Sequence, residues 1–207
     1  SSSSSNGANL LLSSTSSWTT EPGKSCAISR MCCSHSMLPS PGVPLVGITA
    51  WNALVDRANV RKGQRVLVHG AAGGVGHIGL QLAKALAAEV HTTVSSDAKI
   101  KFGKEIGADV LINYKKEKVE DYISTHTNGE GYDVVFDTAG GECLDNSFTA
   151  AKIGGSVVSI AARAKHDLSP VHIKSLTLHV VFMLLPLLRG MGRAHHGNIL
   201  RKLGELI

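Results

Sequence analysis

The chain has 207 residues, 43% hydrophobic and 18% charged, which suits one soluble globular domain with a sizeable core. Its net charge of +5 comes from scattered lysines and arginines, apart from a small knot at Lys115, Lys116 and Lys118, so a nucleic-acid partner is not expected. The longest apolar run, 176–188, is broken by His179 and Pro186 and is too short for a bilayer, so no membrane partner is expected either.

Four cysteines, Cys26, Cys32, Cys33 and Cys143, lack the spacing of a zinc ribbon or a disulfide framework. They indicate a reducing, cytoplasmic compartment. No secretory signal is visible, and the chain does not open on Met. Residues 1–40 hold fourteen serines and three charged residues, Glu21, Lys24 and Arg30, with no helical or strand period. That composition does not offset ordering entropy, so a disordered low-complexity tail is expected, rather than the transit peptide its acid-poor serines also suit.

Residues 41–207 read as the folded domain. Leu45, Ile48, Trp51, Asn52 and Val55 recur at helical spacing and predict a helix over 45–58. A turn at 61–64 leads to a short β-branched strand, 65–69. A helix follows over 75–88, with Val75, Ile78, Leu82 and Leu86 on one face. A strand at 90–94, a helix at 96–106 ended by Gly107, and a strand at 110–112 come next. Then a helix at 117–126, a strand at 132–136, a helix at 141–151 and a strand at 155–160 are expected. Segment 176–182 reads as a sixth strand or a buried helix, and 199–207 as a helix. Alternating strands and helices predict an α/β fold, a Rossmann-type doubly wound parallel sheet of about six strands. Short apolar strands without alternation fit burial on both faces.

The first strand runs into His69-Gly70-Ala71-Ala72-Gly73-Gly74-Val75-Gly76-His77-Ile78-Gly79. Within it Gly74-Val75-Gly76-His77-Ile78-Gly79 is a G-x-G-x-x-G placed between a strand and a helix, the context a dinucleotide loop needs. An early glycine permits the tight turn, Gly76 lets the backbone approach a pyrophosphate, and Gly79 lets the helix pack on the strand. Unpaired N–H groups at the helix start then face phosphate charge. No Gly-Lys-Ser/Thr follows, which argues against a triphosphate P-loop.

The tip of the second strand is Ser95. Asp97, two residues on, more simply serves the next helix N-terminus, and Lys99 by its position alone is a solvent lysine. His69 and His77 flank the loop, within reach of a phosphate. Cys143 starts a helix, where a thiol is sometimes reactive, although a bland buried cysteine is the simpler reading. Tyr132 reads as packing. No catalytic acid, base or nucleophile is assigned.

From Pro44 to Ile207 the sequence resembles the quinone oxidoreductase, zeta-crystallin-like branch of the medium-chain dehydrogenase/reductase superfamily. The resemblance is carried by Pro44-Leu45-Val46-Gly47-Ile48-Thr49-Ala50-Trp51, Gly63-Gln64-Arg65-Val66-Leu67-Val68-His69 and Ala71-Ala72-Gly73-Gly74-Val75-Gly76. Gln81-Leu82-Ala83-Lys84, Gly107-Ala108-Asp109 and Ile112-Asn113-Tyr114 continue it in order. The stretches 179–183 and 192–197 are similar to a subgroup labelled zinc-type alcohol dehydrogenase-like. The resemblance implies NADPH-dependent reduction of quinones or other activated carbonyls or alkenes, without metal. It implies that Ser95, Lys99 and Tyr114 hold the 2′-phosphate, making NADH the poorer cofactor. It also implies that Asp137-Thr138-Ala139-Gly140 and Ser159-Ile160-Ala161 line the ribose and nicotinamide. In relatives the sixth strand often pairs subunits, so 176–182 is a candidate homodimer edge.

The family's GroES-like catalytic domain is not recognisable, and the chain stops soon after Lys202-Leu203-Gly204. The expectation is therefore a truncated chain, the cofactor-binding fragment. Three rivals stand beside it. Gly70-x-x-x-Gly74-x-Gly76 and Tyr114-x-x-x-Lys118 imitate a short-chain dehydrogenase, but Tyr114 lies only 38 residues after Gly76. A zinc alcohol dehydrogenase needs converging ligands, whereas adjacent His195 and His196 diverge and read as surface or interface residues. The third rival is a dinucleotide-binding module without catalysis.

Overall fold

The computed structural model describes residues 42–206, and the serine-rich segment 1–40 lies outside them. Helix α1, Val43–Trp51, carries Pro44 in its first turn and passes without a break into a π-helical turn, Asn52–Arg57. The predicted 45–58 helix is thus one rod whose last turns are widened. Ala58 donates its N–H to Ala53 O, and Asn59 leaves the rod with φ of +50°.

Then come β1 (Arg65–His69), α2 (Gly74–Ala85), β2 (Glu89–Val94), α3 (Asp97–Glu105), β3 (Val110–Asn113), α4 (Val119–Thr127), β4 (Tyr132–Asp137), α5 (Glu142–Ala150) and β5 (Ala151–Ser159). The chain closes with α6 (Ser169–Ile173), β6 (Thr177–Val180), α7 (Leu184–Leu188) and α8 (Arg193–Leu206). All six strands are parallel, in the order β3-β2-β1-β4-β5-β6. The order reverses between β1 and β4, the crevice where open α/β sheets bind ligands.

Both faces of the sheet are covered. Val66, Val68, Val134, Phe136 and Val158 point into one core with Leu54, Leu80, Leu82, Ile199 and Leu203 from the π-helical turn, α2 and α8. Leu67, Val135 and Val157 alternate with them into a second core with Tyr122, Leu144 and Phe148 from α4 and α5. That two-sided burial explains why the strands read as unbroken apolar runs.

Three expectations are corrected at their edges. β5 begins at Ala151 rather than 155, its early part irregular where the register with β4 shifts between Tyr132 and Val134. Of the two alternatives for 176–182 the strand is the one observed, trimmed to Thr177–Val180. α8 begins at Arg193 rather than 199: it buries His196, Ile199 and Leu203, and a histidine in the first apolar position hid that turn. The short helices α6 and α7 went unpredicted, each too brief to show a period.

Candidate dinucleotide-binding site

Strand β1 ends at His69, and Gly70 turns the chain with φ of +76°, a conformation that excludes a side chain at little cost only for glycine. Gly73 N–H donates to Gly70 O at 2.8 Å, closing the turn, and α2 starts at Gly74. No side chain caps that helix, so its first amides remain available to an anion. Ala72, Gly73 and Gly74 form the exposed rim of the loop. Val75 is half-buried against the first core, and Gly76 and Gly79 are buried.

The glycines do what the spacing predicts, with one sharpening. A Cβ on Gly76 would collide with the carbonyl of Gly70, so the loop's own closure already requires glycine there. A Cβ on Gly79 would come within 2.6 Å of the Phe136 ring. The close helix packing is therefore against β4, the strand beyond the switch point.

Ser95 sits half-buried at the end of β2. Lys99 lies in the first turns of α3 with its side chain exposed, its amide bonded to Ser96 O at 3.0 Å. Tyr114, 54% exposed, follows β3, and its N–H donates to Val94 O at 3.3 Å. That backbone bond brings the Tyr114 segment beside the strand tip that carries Ser95.

On the other side, Thr138 donates its hydroxyl to His69 O at 2.6 Å, fastening the end of β4 to the end of β1. Ala139 is exposed, and Ile160 and Ala161 are half-buried after β5. Ser159 is fully buried. Its hydroxyl donates to Asp137 Oδ2 at 2.7 Å and accepts the N–H of Ala161 at 3.2 Å. Asp137 Oδ1 accepts the N–H groups of Ala139 and Gly140 at 3.0 and 2.9 Å. One buried carboxylate thus shapes both loops beyond the switch point.

Asp137 belongs to a polar row that sequence reasoning missed. Thr93, His69, Asp137 and Ser159 are register partners across β2, β1, β4 and β5, and all four are buried. His69 Nδ1 bonds Thr93 Oγ1 at 2.9 Å, while Nε2 has no partner. Burial pulls the His69 pKa down to about 4 against the opposing pull of Asp137, so the ring is neutral at pH 7. The alternation of Leu67 inward on the second face was the available signal, since it puts residue 69 on the same face.

The reading of His69 as a phosphate contact is corrected: its side chain lies under the loop, inside the sheet. His77 bonds Gly73 O through Nδ1 at 2.9 Å. Burial first, then Asp137, pushes the Cys143 pKa far up and keeps the thiol protonated. His195 is exposed and bonds Asp56 Oδ2 at 2.9 Å, whereas His196 is buried, so the paired-surface reading holds for only one of the two. Among the described residues no three His, Cys, Asp or Glu side chains converge as metal ligands, so the donor set does not fit a zinc ion. No helix among the described residues is long and apolar enough to cross a membrane.

Residues 74–188 match the family of zinc-binding dehydrogenases. The chain belongs to that family, as the nucleotide-binding half of the medium-chain dehydrogenase/reductase architecture. It is 31% identical over 151 residues to a probable quinone oxidoreductase of Schizosaccharomyces pombe, covering 73% of this chain and 45% of that protein. A solved alcohol dehydrogenase superfamily protein from Novosphingobium aromaticivorans superposes with a TM-score of 0.77 at 42% identity, over 82% of this chain and 50% of the other. The nucleotide-binding subdomain of the enoylreductase domain of PpsC from Mycobacterium tuberculosis superposes with a TM-score of 0.68 at 28% identity, over 78% of this chain and 92% of that one. The chain spans less than half the length of the curated relatives it matches. Membership sets aside the short-chain reading: Tyr114 follows β3, and Lys118 caps α4.

Proposed function

We propose that this chain binds NADPH and serves hydride transfer to a quinone or to an activated carbonyl or alkene. The observation that carries the cofactor choice is the β2 tip. Ser95 ends β2, the exposed Lys99 lies in the first turns of α3, and the Tyr114 segment is tied to Val94 O. A hydroxyl, an ammonium and a phenol there suit a 2′-phosphate, where an acidic tip would suit a bare ribose. The glycine cradle supports the fit: Gly76 leaves the loop room to close, and the α2 amides face outward toward a pyrophosphate.

When bound, the nicotinamide supplies the hydride. The chain's own residues bind and orient. Ala72, Gly73, Gly74, Val75 and Gly76 form the pyrophosphate seat, and Gly79 lets α2 pack against β4 behind it. Thr138, Ala139, Ile160 and Ala161, held from beneath by the buried pair Asp137 and Ser159, form the nicotinamide side. Neutral His69 and protonated Cys143 do not deliver a proton at neutral pH, so the substrate's proton comes from solvent or from residues of the substrate domain. The edge strand β6 and the residues just after it, with Val180 and Phe182 more than half exposed, suit pairing with a second copy. The cytoplasmic assignment rests on cysteine usage.

Fluorescence titration of the 207-residue chain tests the cofactor choice. NADPH is expected to bind roughly tenfold more tightly than NADH, the worth of one charge-assisted hydrogen bond. Lys99→Glu is expected to erase the difference. Equal affinities in the wild type would sink the proposal. A second reading, a binding module without turnover, is favoured by the protonated Cys143 and neutral His69. Quinone-dependent NADPH oxidation by this chain separates the two.

A further inference from the structure

Helix α2 begins at a disadvantage. Gly74, Gly76 and Gly79 all fall in its first two turns, and glycine is a poorer helix former than any residue except proline. Its N-cap is Gly73, which has no side chain to offer the first amides. The openness that suits a phosphate thus weakens the turn that has to present those amides. A frayed first turn has to be ordered again each time an anion binds, at a cost in affinity.

Two side chains on one stripe of α2 offset this. His77 Nδ1 donates to Gly73 O at 2.9 Å, and the same oxygen accepts the His77 backbone N–H at 3.1 Å. A carbonyl oxygen only accepts, so Nδ1 carries the proton in either charge state of the ring. One turn deeper, Gln81 Nε2 donates to His77 O at 3.0 Å, and Gln81 is itself buried. Residues 73, 77 and 81 share one face of the helix, so the two bonds form a ladder from its buried part up to the exposed rim at Gly73.

At the rim this ladder has a direction. The Gly73–Gly74 peptide is trans and planar, so its C=O and N–H point opposite ways. With Gly73 O held along α2 by two donors, Gly74 N–H is turned out of the helix end. Gly73 N–H is fixed as well, on Gly70 O at 2.8 Å. The second donor on Gly73 O also polarises that peptide and makes Gly74 N–H the stronger donor. We infer that His77 is a positioning residue for the pyrophosphate, acting through the Gly73–Gly74 peptide, a role that rests on a dinucleotide being the ligand. The pyrophosphate is common to NADPH and NADH, so His77 serves both alike, whereas Lys99 separates them.

The test is dinucleotide titration of the whole chain carrying His77→Ala or His77→Ser. Alanine is the best helix former and serine a worse one, so helix propensity alone favours the alanine variant. A serine hydroxyl, unlike a methyl, donates to the carbonyl four residues back. His77→Ala is expected to weaken NADPH and NADH equally, by about threefold to tenfold, the worth of one neutral hydrogen bond. His77→Ser is expected to recover most of that loss without raising the thermal midpoint above that of His77→Ala. Wild-type affinity in His77→Ala overturns the assignment, as does a serine variant no better than the alanine one, a recovery that tracks the thermal midpoint, or a loss confined to NADPH. A wild type that binds neither dinucleotide overturns the dinucleotide reading itself and the role of His77 with it.

Discussion

Acid sensitivity follows from His69. In the folded chain its pKa is about 4, set by burial under β1 and only partly opposed by Asp137. In the unfolded chain it returns to about 6.5. Above pH 6.5 both states are neutral and the fold keeps its full stability. As the pH falls from 6.5 toward 4 the unfolded state takes up a proton that the folded state refuses, so stability is lost across that window and levels off below it. The gap is worth about 3 kcal/mol in full, at about 1.4 kcal/mol per pH unit, and about 2 kcal/mol of it is gone by pH 5. Urea unfolding at pH 7.5 and pH 5.0 measures this directly. His91 and His179 also lie below the ordinary value, chiefly through burial, and add to the acid loss in any variant. Comparison with His69→Gln isolates the one ring. The wild type is expected to lose about 2 kcal/mol more than the variant between the two pH values. Identical losses would refute the account, as would a His69 resonance that titrates near 6.5 in the folded chain.

Other outcomes are open to measurement. Gly76→Ala is expected to abolish dinucleotide binding, because its methyl displaces the Gly70 carbonyl and opens the turn; wild-type affinity in a titration would contradict this. Gly79→Ala is expected to lower the unfolding free energy by about 1–3 kcal/mol through overpacking on Phe136, and an unchanged denaturation midpoint would count against it. Cys143 is expected to resist a thiol reagent at pH 7.5 until the chain is unfolded, whereas rapid labelling of the native chain would show that burial and Asp137 do not hold its proton. Sedimentation is expected to show a dimer that Val180→Lys disperses, and a monomer at all concentrations would argue against pairing through β6.

The sheet was legible because its signals are local. Runs such as Arg65-Val66-Leu67-Val68-His69 and Tyr132-Asp133-Val134-Val135-Phe136 are short, apolar and bounded by turns, and the glycine spacing has few other uses. The ends of elements were less legible. The π-helical turn at Asn52–Arg57 keeps the helical pattern while changing its hydrogen bonds, so no residue announces it. The first turn of α8 was hidden because His196, a polar residue, occupies the buried position. Partners of polar side chains were not legible at all. Ser159 resembles a ligand-lining serine in sequence, yet its hydroxyl is turned into the fold by Asp137, 22 residues away on the neighbouring strand, a pairing that no motif announces.

That row of Thr93, His69, Asp137 and Ser159 changes what the site consists of. A glycine loop supplies space and amides, but it does not fix where the ends of four separate strands stop. Here buried bonds between neighbours do so on either side of the switch point: Thr93 to His69 joins β2 with β1, and Ser159 to Asp137 joins β5 with β4. Thr138 closes the gap through His69 O. The seat proposed for the 2′-phosphate and the seat proposed for the nicotinamide are therefore attached to one continuous frame. A polar frame buried at this depth is stable only if its members stay satisfied and uncharged where they are unpaired. The depressed His69 pKa meets that condition, since a protonated ring would place a charge on the unpartnered Nε2. The same residue that makes the fold acid-sensitive thus keeps the floor of the site in one shape at neutral pH.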